Sequence, residues 1–404
     1  MDGEILFLCH RIPFPPDRGD KIRSFHLFRA LSKLGPVHVG TFADDDRDES
    51  FAPTMADWTA SQCVARRNPS RAVAGLRGPA LHQPMLVALY EHADLHEYVR
   101  TVLATRPITA VVGYSVQMAH FVPDLPPHVR FMMDFVDFDS AKYAAYGAEQ
   151  GGPMGWVHRR EGRMLFEFER NVARRADVST FVSEAEASLF AEQSGLRTGI
   201  DWFDNGVDHD YFDPAGDYPW VATGDGPLIV FTGQMDYRPN IEAVESFART
   251  SLPAIRAVHP QARFAIVGRA PTPQVMALAD VPGVMVTGAV PDVRGWIAAA
   301  DVVVAPLRIA RGIQNKVLEA MAMARPVVAS AEAAEGIDAR HHDHLLIADT
   351  VAGEAELVLS LLADRAAAAG LGLRARARVI ERYDWGATLS RLPDLLCAKG
   401  RAAA

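Results

Sequence analysis

Short apolar runs alternate along the whole chain with longer stretches in which apolar positions recur at helical spacing. This alternation is the pattern of βα units wound around parallel sheets, whose strands are buried on both faces. In the first half it predicts strands at Ile5–Cys9, Val37–Phe42, Ala110–Gly113, Phe131–Phe135 and Val178–Val182, with helices at Lys21–Leu34, Val157–Arg175 and Glu184–Gln193. Between the second and third of these strands the pattern is mixed and mostly helical. A second series has strands at Leu228–Thr232, Phe264–Val267, Val284–Thr287, Val302–Ala305 and Val327–Ala329, each followed by a helical stretch. Between the two series, Asn205 to Gly226 is rich in Asp, Gly and Pro and carries no periodicity, as a linker would. After helices at Val351–Ala363 and Ala366–Tyr383, a further amphipathic helix is expected to run to about Cys397. The expected fold is α/β, with two Rossmann-like, doubly wound domains over residues 1–206 and 207–383 and a helical segment over 384–404.

Composition narrows the function without naming it. The 404 residues suit two hydrophobic cores. With 49% apolar and 23% charged residues the chain reads as an ordinary globular protein. Its net charge of −9 argues against general nucleic-acid binding, which needs a broad basic surface to displace counterions. Three cysteines, Cys9, Cys63 and Cys397, lie far apart without CxxC spacing, so neither a disulfide framework nor a zinc site is indicated, and a reducing cytoplasm is expected. The start of the chain lacks the basic flank and long apolar region of a signal peptide and reads as a first strand. No window approaches the roughly 20 apolar residues of a membrane helix, so any membrane contact, at the inner face, is expected to be peripheral.

The segment Arg311 to Val328 carries the most chemistry. A buried strand, Asp301-Val-Val-Val-Ala-Pro-Leu307, leads through Arg308–Gly312 into a helix predicted from Ile313 to Met323. In open α/β sheets ligands lie beyond the carboxyl ends of the strands, where this loop and helix start sit. Lys316 occupies the first turn and Glu319 lies three residues on. A cation near a helix N-terminus opposes the macrodipole, and Lys before Glu is the weaker order for such a pair. The order makes sense if a diphosphate sits at the helix start, held by Lys316 and free backbone N–H groups. Glu319, one turn or about 5.4 Å deeper, would then accept hydrogen bonds from ribose hydroxyls. A solvated surface pair is the alternative for these two residues taken alone.

The surrounding residues resemble a known family. Asn315-Lys-Val-Leu-Glu-Ala-Met-Ala-Met-Ala-Arg-Pro-Val-Val328 is similar to the donor-binding motif of glycosyltransferase family 4. Further matching blocks are Pro15-Pro-Asp-Arg-Gly-Asp20, Asp204-Asn-Gly-Val-Asp-His-Asp-Tyr-Phe212, Phe231-Thr-Gly-Gln-Met-Asp-Tyr-Arg-Pro-Asn240 and Gly288-Ala-Val290. Within the family, the chain most resembles the sugar transferases of exopolysaccharide clusters associated with the exosortase and PEP-CTERM system. The resemblance implies a GT-B fold with two domains facing a cleft and a last helix crossing back to the first domain. It also implies a nucleotide-diphosphate sugar donor, no metal or other cofactor, and retention of anomeric configuration. A glycan or polyprenyl-linked acceptor follows from the same likeness.

Two positions depart from the family pattern. The first of two glutamates common in the family is Arg311 here, so its role in binding sugar hydroxyls does not carry over; either Arg311 acts differently, or backbone N–H groups near Gly312, Ile313, Gln314 and Asn315 hold the sugar. The usual arginine after Gly233 is Gln234, which leaves Lys316, helped by Arg238, to supply positive charge. Backbone near Val290 would meet the base in the family's manner.

The remaining constellations have two readings each. In the loop Pro13 to Asp20, Gly19 would let backbone approach a phosphate or sugar, or the loop is a Pro-rich connection with Asp20 capping the helix. Asp134 and Asp137, beyond the strand Phe131-Met-Met133, are candidates to orient an acceptor hydroxyl or act as a base; Asp139 reads as a helix cap. Asp292 reads as a cap too. His341-His-Asp-His344 suits a solvated turn better than a metal site, and His120 reads as a structural histidine. The basic stretch Arg66-Arg67 to Arg77 is a solvated helix face or a surface for an anionic membrane. The expected function is therefore glycosyl transfer, with a nucleotide-sugar epimerase and a catalytically degenerate binding subunit as the rivals.

Overall fold

The computed structural model describes residues 3–67, 83–221, 224–310 and 312–397. They form two compact units, one comprising the chain up to Asp204 together with the segment from Leu389, the other Asn205–Thr388. Among the described residues no helix is long and apolar enough to cross a membrane.

The first unit is built on a seven-stranded parallel sheet: β1 Glu4–Cys9, β2 Val37–Ala43, β3 Ser61–Arg66, β4 Ile108–Tyr114, β5 Arg130–Val136, β6 Val178–Phe181 and β7 Ile200–Trp202. The strand order is β3-β2-β1-β4-β5-β6-β7, so the winding reverses between β1 and β4. Helices α1 Gly19–Ser32, α2 Ala93–Thr105, α3 Asp139–Glu149, α4 Gly152–Arg175 and α5 Glu184–Ser194 accompany it. The expected strands are all present, most of them a residue or two longer than the apolar runs. β3 and β7 were not expected, because both lie at the sheet edges: only Ala65 is buried in β3, and no residue of β7 is. Without an apolar run the period-two signal is lost. A terminal helix, Leu392–Cys397, packs beside β5; Arg130 donates to the Leu395 carbonyl at 3.1 Å, and Arg391 donates to Asp201 at 2.9 Å.

The second unit has a six-stranded parallel sheet: β8 Leu228–Thr232, β9 Arg263–Val267, β10 Val284–Gly288, β11 Val302–Ala305, β12 Val327–Ser330 and β13 Leu346–Ala348. Its order, β10-β9-β8-β11-β12-β13, reverses between β8 and β11. Helices α6 Arg238–Ser246, α7 Asn315–Ala322, α8 Val351–Ala363 and α9 Arg365–Tyr383 cover it. β8 and β11 are buried along their whole length, as continuous apolar runs in a parallel sheet should be. Helix α7 turns Val317, Leu318, Ala320, Met321 and Ala322 into this core, which leaves Lys316 and Glu319 on the remaining, half-exposed face.

Candidate functional site

In open α/β sheets the ligand lies outside the carboxyl ends of the strands where the winding reverses. In the second unit that point is marked by the ends of β8 and β11. Gly233 and Gln234 follow β8, the loop toward Gly312 follows β11, and α7 begins beside them. The reversal brings Lys316 to Phe231 of β8. The ammonium lies 4.3 Å from the ring centroid and donates to Asn240 Oδ1 at 2.6 Å. Asn240, only 5% exposed, in turn donates through Nδ2 to the Gln234 carbonyl at 2.8 Å. Lys316 is thus seated on an aromatic face and tied to a buried amide that is itself tied to the loop after β8.

Gly233 makes this seat possible. A Cβ there would come within 2.8 Å of Asn240 Nδ2 and 3.3 Å of the Lys316 ammonium. Gly312 has φ +63°, a left-handed conformation that suits glycine and turns the loop into α7. Gln314 precedes the first helical residue without capping it, donating instead to the Gly312 carbonyl at 3.2 Å. Asn315 opens the helix, and its buried Oδ1 has no hydrogen-bond partner. Ile313 is 7% exposed and packs into the core. The helix therefore starts two residues later than expected, at Asn315, and Lys316 stands in its first turn.

Burial pulls the Lys316 ammonium down to about 7 and pushes the Glu319 carboxyl up to about 7, each shift partly offset by the other's charge. Among the described residues the Glu319 carboxyl makes no hydrogen bond or ion pair, and its charge is felt at Tyr211. A half-buried carboxyl with free acceptor capacity, one helical turn beyond a seated ammonium, can bind a neutral polyol while the ammonium meets an anion.

Other expected site residues are placed differently. Arg311 and residues 68–82, which contain Arg77 and most of the basic stretch, lie outside the described residues. Arg238 is exposed and donates to Glu242 at 2.7 Å along α6. The Gln234 side chain faces a different cation: Arg269, just after β9, donates to its Oε1 at 3.5 Å. Arg269 and Asn240 were not singled out from the sequence. Asn240 closes one of the quoted blocks, which was its available signal; Arg269 had none, since only the pairing of β8 with β9 brings it alongside. Val290 packs against the core after Gly288, whose φ is +67°. Asp292 accepts from the Arg294 backbone N–H at 2.9 Å and holds the Arg294 guanidinium, which stacks on Tyr211 at 3.8 Å.

In the first unit Asp134 is 1% exposed and both its oxygens accept from Arg23, at 2.9 and 3.2 Å. Arg23 also donates to the Phe203 carbonyl at 2.8 Å. The carboxylate is consumed by this buried pair, so Asp134 binds the fold together and is not an available base. Asp137 is partly exposed and takes Lys142 at 2.6 Å. Two cap readings are corrected. Arg18 precedes α1, and Asp20 lies inside the first turn. Its carboxylate takes His10 at 3.3 Å, Arg18 at 3.2 Å and Arg11. Burial opposes the Asp20 charge, but these partners outweigh it and hold the carboxyl well below its usual range. Asp139 is the first residue of α3, with no capping bond, and burial pushes its carboxyl up to about 6. Gly19 opens α1 as its first residue. In the His341–His344 turn, His341 Nδ1 accepts from Ile347 N and His344 Nδ1 accepts from Arg340 N, a turn held by its own backbone.

Residues 226–364, all within the second unit, match the family described as glycosyl transferases group 1. The GDP-mannose-dependent alpha-(1-6)-phosphatidylinositol monomannoside mannosyltransferase of Mycolicibacterium smegmatis is 30% identical over 253 residues, 58% of this chain and 65% of that protein. The match therefore spans just under two thirds of that relative's length. The enzyme of the same description from Mycobacterium tuberculosis is 29% identical over 270 residues, 61% of this chain and 67% of that protein. Among solved structures, Anabaena HepE in complex with UDP superposes with a TM-score of 0.67 at 16% identity, covering 97% of this chain and 99% of that one. Sucrose-phosphate synthase from Thermosynechococcus elongatus gives 0.67 at 17% identity, covering 97% and 98%. At such identities the likeness speaks for the fold, two Rossmann-like units of the GT-B type.

Proposed function

We propose that this chain is a glycosyltransferase that takes its sugar from a nucleotide-diphosphate donor held on the second unit. The observation that carries this reading is the Lys316 ammonium fixed between Phe231 and Asn240 at the point where the sheet winding reverses, with Glu319 one turn deeper. The diphosphate lies at the start of α7 against Lys316, and the ribose hydroxyls donate to Glu319. Arg269, beside Gln234, supplies the second cation that the family's missing arginine would have given.

As the glycosidic bond breaks, negative charge grows on the departing diphosphate. Lys316 and the α7 N-terminus stabilise that charge more in the transition state than in the ground state. Because Lys316 is already seated, little reorganisation accompanies bond breaking. The transfer needs no covalent nucleophile and no metal, and retains anomeric configuration. The acceptor is a glycan or polyprenyl-linked glycan of the kind that exopolysaccharide assembly uses, met at the inner membrane face by peripheral contact. Asp137, partly exposed beyond β5 and paired with Lys142, is the carboxylate that would orient its hydroxyl.

A thermal-shift screen of GDP-mannose, UDP-glucose, ADP-glucose and dTDP-glucose tests the reading, because a ligand that binds only the folded state raises its stability. At least one should raise Tm, and transfer from that donor should persist in EDTA. No shift from any nucleotide sugar would overturn the proposal.

A further inference from the structure

His120 is held in a way that an ordinary structural histidine does not require. It sits in the 3₁₀ turn Val116–Phe121 after β4, with Nδ1 2.7 Å from the Gln117 carbonyl oxygen. A carbonyl can only accept, so Nδ1 carries the hydrogen and Nε2 of the neutral ring presents a bare lone pair. The side chain is 8% exposed, and Nε2 is buried without a hydrogen-bond partner, 3.4 Å from Glu91 Oε2. The other Glu91 oxygen lies 2.9 Å from His96 Nε2, on the first turns of α2. The ligating atoms of all three residues fall within 4.8 Å of one another.

A lone pair and a carboxylate facing each other repel unless a proton or a metal cation lies between them. We propose that Glu91, His96 and His120 form a binding site for a divalent transition-metal ion, with zinc the best fit. Two imidazoles and a carboxylate are zinc's common nitrogen and oxygen donors, and ligands at about 2.0–2.2 Å in a tetrahedron stand roughly 3.3–3.5 Å apart. His120 Nε2 stands at that spacing, 3.4 Å, from one Glu91 oxygen, and His96 Nε2 stands closer, at a hydrogen-bonding 2.9 Å, to the other. The Nδ1 contact to the Gln117 carbonyl is the outer-shell bond that orients a metal-binding imidazole. Phe121 packs on both rings, with centroids 3.9 Å from His120 and 4.5 Å from His96, and holds them in place. His96 and Glu91 are about one third exposed on their side chains, which leaves a path for the ion and room for a fourth ligand from water. A bound ion would pin the loop before α2 to the turn after β4, a structural staple apart from the transfer chemistry.

The test uses the untagged full chain, stripped with a chelator and titrated with Zn2+ against a chromophoric competitor. Co2+ in place of Zn2+ reports geometry through its visible absorption. The expected result is one equivalent of Zn2+, an intense low-symmetry Co2+ spectrum and a higher Tm with metal. His120→Gln should weaken binding at least about 100-fold, and Glu91→Gln and His96→Gln should each weaken it. Should His120→Gln fail to fold, the other two variants and the Co2+ spectrum decide. Replacing His341, His342 and His344 together should leave binding intact. Zn2+ binding weaker than about 0.1 mM, or equal in wild type and the Glu91, His96 and His120 variants, would show that a proton alone occupies the gap and overturn the proposal.

Discussion

The Lys316 ammonium donates to Asn240 Oδ1 at 2.6 Å, so a cation from the helix after β11 is held by an amide from the helix after β8. The two strands are neighbours in the sheet but lie far apart in sequence. Their meeting turns a loosely hydrated lysine into a positioned charge.

Removing the amide should misplace that charge without unfolding the unit. Asn240→Ala is expected to lower kcat/KM by roughly 10- to 100-fold, since a displacement of about 1 Å at a reacting group costs on that scale. Gly233→Ala should do likewise, because its new Cβ would press on Asn240 and Lys316. Steady-state kinetics on both variants, with circular dichroism to verify folding, make the check.

Proton linkage gives an independent expectation. Burial holds the Lys316 ammonium down to about 7 in the unliganded protein, and a bound diphosphate would raise it again. Above that pH, binding must therefore take up a proton, and donor affinity should fall as pH rises through about 7. Glu319→Gln is the background to use, since the Glu319 carboxyl, pushed up to about 7, would exchange a proton of its own. Calorimetry at pH about 8 in buffers of different ionisation enthalpy should show uptake approaching one proton. Zero uptake, or release, would contradict the assignment of Lys316 to the diphosphate.

The two arginines near Gln234 should separate cleanly. Arg269→Ala is expected to weaken donor binding by about 10-fold or more, as loss of a charge-assisted contact does. Arg238→Ala, whose guanidinium faces Glu242 on an exposed helix, should change it less than about threefold. Equal losses would mean that Arg238 turns toward the donor when it binds.

In the first unit, stability and rate should divide between two aspartates. Asp134→Ala leaves Arg23 charged and buried without its partner and should cost about 3–5 kcal/mol of folding stability. Asp137→Asn should leave Tm nearly unchanged and lower turnover, if its carboxylate orients the acceptor. Denaturant unfolding of the first and kinetics of the second test the split.

The fold was largely legible because its central strands are continuous apolar runs: Leu228–Thr232, Val302–Ala305 and the helix Val351–Ala363 lie where periodicity placed them. Edge strands such as Ser61–Arg66 and Ile200–Trp202 were not, because an edge buries too little side chain to leave a pattern. At the site, Lys316 and Glu319 could be read from a helix whose charges oppose its own dipole. Their partners could not. Asn240 and Phe231 reach Lys316 across the winding reversal, and Arg269 reaches Gln234 through the pairing of β8 with β9, which no local pattern encodes. Asp134 was misread for a related reason: its role is set by Arg23, 111 residues away.

Titration calorimetry of wild type and Lys316→Ala with the nucleotide sugar that most raises Tm decides whether Lys316 binds the donor's diphosphate. Wild type should bind measurably and the variant, its fold intact, at least about 50-fold more weakly, as the loss of a buried ionic contact of roughly 2–3 kcal/mol requires. Equal affinity for the nucleotide sugar in the two proteins would contradict it.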